Sequence, residues 1–115
     1  QIEIPLVVLV NAHSASASEI FASAIKDSGK GGIIGDKTYG KGIVQEVEKL
    51  KNGGALSITV AKYYTISGVE IHGNGIEPNI LVELPDEFKK ASVVPKDKDT
   101  QLNSAIEYIV NNKWL

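Results

Sequence analysis

The sequence contains no cysteine, no long apolar run and no marked excess of charge of either sign. Without cysteine, neither a disulfide framework nor a thiolate site can form, although the absence suits an oxidising and a reducing compartment equally. The longest apolar run, PLVVLV from Pro5 to Val10, is far shorter than the roughly 20 residues that span a bilayer. Twelve basic and fourteen acidic residues leave a net charge of -2, so nothing indicates binding to nucleic acid or anionic lipid.

Length and composition indicate a folded unit of modest size. The chain has 115 residues, which suits one small domain or a piece of a larger one. Apolar residues make up 43%, enough for a packed core and too many for a disordered chain. No signal peptide is visible and the sequence opens almost directly on a strand, so we expect a fragment or a mature segment of a longer protein.

The first third of the chain has the pattern of a strand, a helix and a second strand. Residues 4–10 are nearly all apolar and predict a strand buried on both faces. A helix is predicted next, ending at Gly29, and GGIIGD at 31–36 predicts a short buried strand. This order favours an α/β fold with a parallel or mixed sheet. The helical spacing is carried by Ile20, Phe21, Ala24 and Ile25.

A hairpin is predicted after this unit. Residues 42–50 and 55–66 have strand patterns, and KNGGA between them is a strong turn signal. Leu56, Ile58 and Val60 alternate with small and polar residues, which predicts one buried face. A Gly-rich loop with short extended pieces follows and ends at Pro85.

The last part of the chain divides at a change of composition. Residues 1–85 form the predicted main unit, and the polar, charged stretch 86–99 is predicted to be a linker or a covering loop. Residues 100–115 are predicted to form a helix capped by Asp99 or Thr100, which packs on its own domain or on a partner. Its apolar stripe consists of Leu102, Ala105, Ile106, Ile109 and Val110.

The stretch GDKTYGKG, Gly35 to Gly42, resembles the start of a phosphate-binding loop. Gly35, Gly40 and Lys41 fit G-x-x-x-x-G-K, which would make the domain a nucleotide-binding module. That motif requires Ser or Thr after the lysine and a helix beyond it. Here Gly42 and the strand-like IVQEV follow, so the lysine requires another explanation.

A cluster of serines lies where the first strand passes into the helix. α/β folds place ligands and nucleophiles at this position, and NAHSASASEIF supplies Ser14, Ser16 and Ser18 there. The positive end of the helix dipole would favour a developing oxyanion. The alternative is purely structural, because Ser16-x-x-Glu19 is also a capping box.

A nucleophilic serine needs a base. His13 and His72 are candidates, but each also suits a surface or capping role, and their separation offers no metal-ligand spacing. A lysine can serve when it is neutral, a form that burial favours. Lys41 stands between two glycines that would let it approach another segment, and the apolar Ile43 and Val44 follow. We therefore predict no metal site.

Taken together, two long segments carry a family resemblance. VLVNAHSASASEIFASAIKDSGKGGIIGDKTYGKGIVQ and AKYYTISGVEIHGNGIEPNI resemble the C-terminal processing (tail-specific) peptidases, which are Ser-Lys serine proteases. The resemblance runs from about Pro5 to Val82. The chain departs from the family pattern at His13, where glycine is frequent, and at Ile66, where proline is common.

The resemblance implies roles for individual residues. Ser16, the middle serine of the run, matches the nucleophile, and Lys41 matches the general base, held by Gln45. The N–H of Ala17 would form half of the oxyanion hole, and Asp27 occupies the place of an acidic residue implicated in some members. A fully extended chain would separate Lys41 from Gln45 by about 13 Å at roughly 3.3 Å per residue. Cooperation of the two thus requires a bend, which Gly42 permits.

The resemblance also implies the wider setting. The expected fold is a ClpP/crotonase-like mixed sheet with flanking helices, as an incomplete domain, and the expected activity is hydrolysis of peptide bonds near protein C-termini without a cofactor. The partners would be polypeptide C-terminal regions, an upstream PDZ domain and the remaining catalytic segments, with a second copy at exposed core surface. The location would be extracytoplasmic, in the periplasm or cell envelope. The alternative is a non-catalytic binding or scaffold fragment, since this segment alone is expected to lack a complete site.

Overall fold

The computed structural model describes residues 4–111. Strand, helix and strand alternate first, and a hairpin, a short strand and a final helix follow. In chain order the elements are β1 (Val7–Val10), α1 (Ala17–Ser28), β2 (Gly32–Gly35), β3 (Ile43–Lys49), β4 (Ala55–Lys62), β5 (Ile80–Leu81), a single 3-10 turn (Asp86–Phe88) and α2 (Thr100–Asn111).

Three strands form a parallel sheet in the order β1-β2-β5. Four residues of β2 pair in register with β1, from Val7 opposite Gly32 to Val10 opposite Gly35. β2 is central, and all four of its residues are buried. The predicted α/β class and the strand–helix–strand unit are confirmed; parallel pairing belongs to this sheet and antiparallel pairing to a separate hairpin.

The two helices cover opposite faces of the sheet because successive strand residues point to opposite sides. On one face, Val10 and Ile33 pack against Ala22 of α1. On the other face, Gly32 lies against the ring of Tyr108 of α2, so closely that a Cβ atom there would be 2.9 Å from the ring. The core of the described chain is therefore thin, one helix deep on each side of β2.

α1 ends as predicted, and its predicted apolar face is right only in part, since Ile25 packs against the core while other members are exposed. Gly29 adopts a left-handed conformation (φ 63°) and its N–H donates to the carbonyl of Lys26. The buried positions are Glu19, Ala22 and Ser23, whereas Phe21 is 54% exposed. Small residues permit the close approach of helix and sheet, which directs the larger apolar side chains to the flanks.

α2 confirms the predicted helix as far as Asn111, and positions 112–115 lie outside the described residues. Asp99 caps it, since its carboxylate accepts the Leu102 N–H at 2.9 Å. The predicted stripe is wrong in part. Gln101 and Ala105 are buried, and Val110 is 69% exposed. Ile106 and Ile109 are also exposed, because the helix contacts β1 and β2 through a face one position away from the stripe.

The hairpin is confirmed, but its predicted buried face is wrong. β3 and β4 pair antiparallel, with the turn closed by the Leu50 N–H donating to the Gly54 carbonyl at 2.8 Å. Every residue of β4 is exposed, including Leu56 at 51%. Among residues 4–111, β4 pairs only with β3, so alternation predicts a face that nothing in this segment covers.

β1 also differs from the prediction of a strand buried on both faces. Its described pairing is on one side only, with β2, and Leu9 is 41% exposed while Val10 is buried. The strand begins at Val7 rather than Ile4. The apolar run correctly predicts a strand, but within the described chain one edge of that strand has no pairing partner.

The polar stretch 86–99 contains a 3-10 turn at Asp86–Phe88 and no other regular element. Lys89 forms ion pairs with Glu83 (2.7 Å) and Asp86 (2.8 Å) at the surface. The hydrogen bond from the Lys89 ammonium lowers the pKa of the Asp86 carboxyl. The division into 1–85, 86–99 and 100–115 stays a prediction. No helix within the described part of the chain has the length and apolarity to cross a membrane.

Gly35, the last residue of β2, provides a test of the sheet. Its φ of 130° is unfavourable for any side chain, and a Cβ there would lie 1.9 Å from the Val10 carbonyl oxygen. Gly35→Ala should lower the free energy of unfolding by about 3 kcal/mol, since strain and overlap add. Urea denaturation followed by circular dichroism measures this change.

Gly53 at the hairpin turn is the matched control for Gly35. It also has a positive φ, of 86°, but a Cβ there would meet nothing within 4 Å. Gly53→Ala should therefore show the conformational cost alone, about 1 kcal/mol. Equal losses for the two variants would contradict the packing of β1 on β2.

Candidate functional site

The chain turns sharply between β1 and α1. The Asn11 N–H donates to Ser14 Oγ at 3.1 Å, and the Ser14 N–H donates back to the Asn11 carbonyl at 2.9 Å. The His13 N–H donates to the Asn11 side chain. These short-range hydrogen bonds close a compact turn directly after the buried Val10, and the chain then enters α1.

Ser16 lies at the end of this turn, immediately before the helix, with φ 54° and ψ -116°. Within residues 4–111 it is the only residue other than glycine with a positive φ. Such a conformation costs of order 1–3 kcal/mol and persists where surrounding contacts impose it. A serine on a strained strand-to-helix turn is typical of nucleophiles in α/β hydrolases.

The loop that carries Lys41 is held against the Gly-rich segment at 71–76. The Gly73 N–H donates to the Gly40 carbonyl (3.0 Å), and a Cβ on Gly42 would lie 2.5 Å from the backbone nitrogen of His72. No side chain fits at Gly42. The expectation that the glycines beside Lys41 allow a close approach to another segment is confirmed.

The buried carboxylate of Glu19 joins the serine turn to the lysine loop. Its Oε2 accepts the N–H of Ser16 (3.0 Å) and of Lys41 (2.8 Å). Two nitrogens that share one acceptor oxygen lie within about 6 Å of each other, so the backbones of Ser16 and Lys41 are neighbours. Its Oε1 accepts the Gly40 N–H and the Thr38 hydroxyl, both at 2.6 Å.

In the sequence, Glu19 is recognisable only as a capping-box partner of Ser16. The bond from the Ser16 N–H is that of a capping box, but the other three donors lie nineteen to twenty-two positions away. Thr38, which also accepts the Ile76 N–H at 2.7 Å, was missed altogether. The only feature of the sequence that points to this hydrogen-bond network is the Ser16-x-x-Glu19 spacing, which marks Glu19 as a partner of Ser16.

The four principal predicted residues line one cavity of about 520 Å³. Ser16 and Ala17 belong to the helix start, and Lys41 and Gln45 come from the other side. The expected burial of Lys41 is wrong for this segment, because the residue is exposed in the described chain. Lys41, Ile43, Gln45 and Val47 alternate along the chain and thus share one face of the extended segment. The full lining is Ser16, Ala17, Ile20, Lys41, Ile43, Val44, Gln45, Val47, Ser57 and Tyr63.

Lys41 and Gln45 are separated along the chain, but both border the same cavity. The register of β3 and β4 shifts between Val44 and Gln45, where Val44 pairs with Ala61 and Gln45 with Thr59. An irregularity of this kind bends a hairpin locally. The additional residue is Val60 of β4, so the bend expected at Gly42 stays a prediction.

The remaining candidates lie elsewhere. Asp27 accepts the Ser67 N–H at 2.9 Å and borders a different cavity, of about 220 Å³, with Lys26 and Glu77. Neither His13 nor His72 borders the cavity of Ser16. No group of three or more His, Cys, Asp or Glu side chains suited to a metal ion occurs in the part of the chain that the structure describes.

GDKTYGKG is not a phosphate-binding loop. The residues after Lys41 enter strand β3 rather than a helix. The backbone N–H groups of Gly40 and Lys41, which would have to face a phosphate, donate to the Glu19 carboxylate instead. The anion that this loop binds is supplied by the chain itself.

Comparison with known proteins agrees with this geometry. The profile of Peptidase family S41 matches residues 1–82, which contain every residue of the cavity. The chain belongs to peptidase family S41. The resemblance to C-terminal processing peptidases is thereby confirmed, as is the α/β fold expected from it.

Relatives within family S41 carry names of the same kind. The chain is 51% identical over 76% of its length to "Carboxy-terminal-processing protease" of Bartonella bacilliformis, and 41% identical over 92% to "Probable CtpA-like serine protease" of Staphylococcus haemolyticus. Among solved structures it is similar to "Photosystem II D1 C-terminal processing protease", with 48% identity, a TM-score of 0.65 and 70% of this chain covered. The chain spans about a fifth of the length of each, 20%, 21% and 22% respectively.

The backbone of Ser16 can be tested by stability alone. Ser16→Gly and Ser16→Ala both remove the hydroxyl, but only glycine adopts φ 54° and ψ -116° without strain. The glycine variant should be more stable than the alanine variant by about 1 kcal/mol. Paired urea titrations measure the difference, and an alanine variant of equal or greater stability would mean that Ser16 is unstrained.

Proposed function

We propose that this chain supplies the reacting residues of a serine endopeptidase that cleaves peptide bonds near protein C-termini through a Ser-Lys dyad. One observation carries the proposal. Ser16 has a strained backbone on a cavity that Lys41 also borders, and Glu19 holds the two backbones within about 6 Å. Family S41 membership and the names of relatives support the reaction class.

Acylation begins with proton transfer from Ser16 Oγ to the amine of Lys41, which must be neutral to accept it. Lys41 is exposed in the described chain, so the burial that favours the neutral amine would have to come from the remaining segments of the full-length protein or from bound substrate. Oγ then attacks the scissile carbonyl carbon, and the carbonyl oxygen becomes an oxyanion. The Ala17 N–H is a suitable donor to that oxygen, because Ala17 is the first residue of α1 and no acceptor within the helix precedes it. Collapse of the tetrahedral intermediate expels the amine, which takes the proton from Lys41, and leaves an acyl ester on Ser16.

Deacylation repeats these steps with water. Neutral Lys41 accepts a proton from a water molecule as its oxygen attacks the ester carbon. The second tetrahedral intermediate expels Ser16 Oγ, which recovers its proton from Lys41, and the new carboxyl-terminal product leaves. The scheme uses no metal and no organic cofactor.

We assign Gln45 the role of holding the Lys41 side chain in position. Both residues border the cavity from the same strand face, and a side-chain amide can accept a hydrogen bond from the lysine nitrogen. A secondary role for Asp27 would have to act at a distance, since Asp27 anchors the Ser67 turn at another cavity. We therefore give the dyad and Gln45 the chemistry.

The wider setting belongs to the same proposal. Substrates are polypeptide C-terminal regions, which the apolar side of the cavity would contact through Ile20, Ile43 and Val47. Upstream PDZ and catalytic segments complete the enzyme, consistent with a chain that spans a fifth of its relatives. The location is extracytoplasmic, and exposed core surface would also allow a second copy to associate.

Replacement of the dyad is the direct test. In the full-length protein, Ser16→Ala and Lys41→Ala should each lower peptide hydrolysis at least 1,000-fold, because neither attack nor proton transfer remains. Hydrolysis of a peptide substrate, measured by mass spectrometry, gives the rates, and circular dichroism checks folding.

Matched controls for the dyad lie nearby. Ser28→Ala at the other end of α1 and Lys37→Ala in the same loop as Lys41 should keep wild-type rates, since Ser28 bonds the Ile25 carbonyl and Lys37 pairs with Glu77. Retained turnover in Ser16→Ala or Lys41→Ala would refute the mechanism. A folded full-length protein without any turnover would favour the binding or scaffold alternative.

Gln45 should contribute less than the dyad. Gln45→Leu keeps the approximate size of the side chain and removes its hydrogen bond. The kcat should fall about 10-fold to 100-fold, the effect of one bond to the Lys41 ammonium that forms as Ser16 gives up its proton. Glu46→Gln, on the opposite face of β3, is the control and should leave kcat unchanged. A wild-type kcat for Gln45→Leu would remove Gln45 from the site.

A further inference from the structure

Glu19 is fully buried, with 0% of its surface exposed, although it carries an ionisable group. Among the described residues no lysine or histidine nitrogen forms an ion pair with it. Burial of a carboxylate without a cation is costly unless hydrogen bonds replace the lost water. Four donors do so here, two on each oxygen, which accounts for its full accepting capacity in the common geometry.

The donors to Glu19 divide between the two sides of the cavity. One is the N–H of Ser16 and one is the N–H of Lys41, and both reach the same oxygen. The other two come from Thr38 and Gly40, in the loop that leads to Lys41. A single rigid side chain thus fixes the backbone of the proposed nucleophile relative to that of the proposed base.

We propose that Glu19 is a positioning residue that sets the distance and orientation between Ser16 and Lys41. The proposal rests on the proposed function, because it concerns the same two residues. Proton transfer requires heavy atoms about 2.6–3.2 Å apart, and a displacement of 1 Å can cost a hundredfold in rate. The substrate-contacting part of the cavity is formed largely by other residues, so binding should depend on Glu19 much less than turnover does.

Glutamine in place of Glu19 is the sharpest variant. It has the same size, but one oxygen becomes an NH₂ group, which would face donors instead of accepting from them. In the full-length protein, Glu19→Gln should lower kcat at least 10-fold and change KM less than 2-fold. The rate at which a fluorophosphonate probe labels Ser16 should fall in parallel with kcat.

Controls separate positioning from loss of the fold. Assays are made below the unfolding midpoint of each variant, where circular dichroism matches the wild type. Glu107→Gln changes an exposed carboxylate on α2 and should leave kcat, KM and labelling unchanged. Thr38→Val removes one of the four donors to Glu19, and its kcat should fall by about 3-fold to 10-fold, again with KM nearly constant.

Rescue by a small anion provides a second, independent readout. Glu19→Ala would leave the four donors facing a space of about carboxylate size, and added formate should raise kcat at least 5-fold. Formate should not raise kcat of the wild type or of Lys41→Ala. If Glu19→Ala does not fold, the glutamine and Thr38 variants decide the question by their kcat and KM values.

The outcomes distinguish this inference from the function on which it rests. Turnover that survives Ser16→Ala or Lys41→Ala would overturn the dyad and the positioning role with it. Turnover that depends on both residues while Glu19→Gln keeps kcat within 2-fold would overturn the positioning role alone. A raised KM with unchanged kcat would also overturn it, since Glu19 would then shape the substrate groove.

Discussion

The buried carboxylate of Glu19 is the constraint on which the arrangement of this chain depends. It binds the start of α1 to the loop before β3 through donors that are far apart in sequence. The same loop is tied to the 71–76 segment through Thr38 and Gly40. Two stretches thus meet at the Glu19 side chain, and the third is joined to them through the loop; all three lie within the part of the chain that matches family S41.

The strained backbone of Ser16 is stabilised by a hydrogen bond to a neighbouring side chain. Ser16 adopts a backbone conformation that glycine adopts more easily than other residues. The hydrogen bond from its N–H to Glu19 is one of the contacts that keep Ser16 in this conformation. Gly40 and Gly42 let the lysine loop pass within contact distance of the 71–76 segment. The cavity therefore owes its shape to backbone placement as much as to the side chains that line it.

Many large apolar side chains of the described chain are exposed. β4 is exposed throughout, and one edge of β1 is open. An isolated two-stranded hairpin is marginally stable in water, and patterned strands normally cover their apolar side. The observation agrees with a chain that spans about a fifth of the relatives it matches in family S41.

The sequence was enough to predict the order of elements, the class of fold and the family, because periodicity, turn residues and long ordered motifs are local. It also determined Ser16, Lys41 and Gln45 as the candidates that the cavity brings together. The tertiary structure was needed to establish which apolar faces are buried, as β4 and α2 illustrate, since burial depends on what lies opposite. It alone assigned Glu19 its donors, because hydrogen bonds between residues some twenty positions apart leave no periodic trace in a sequence.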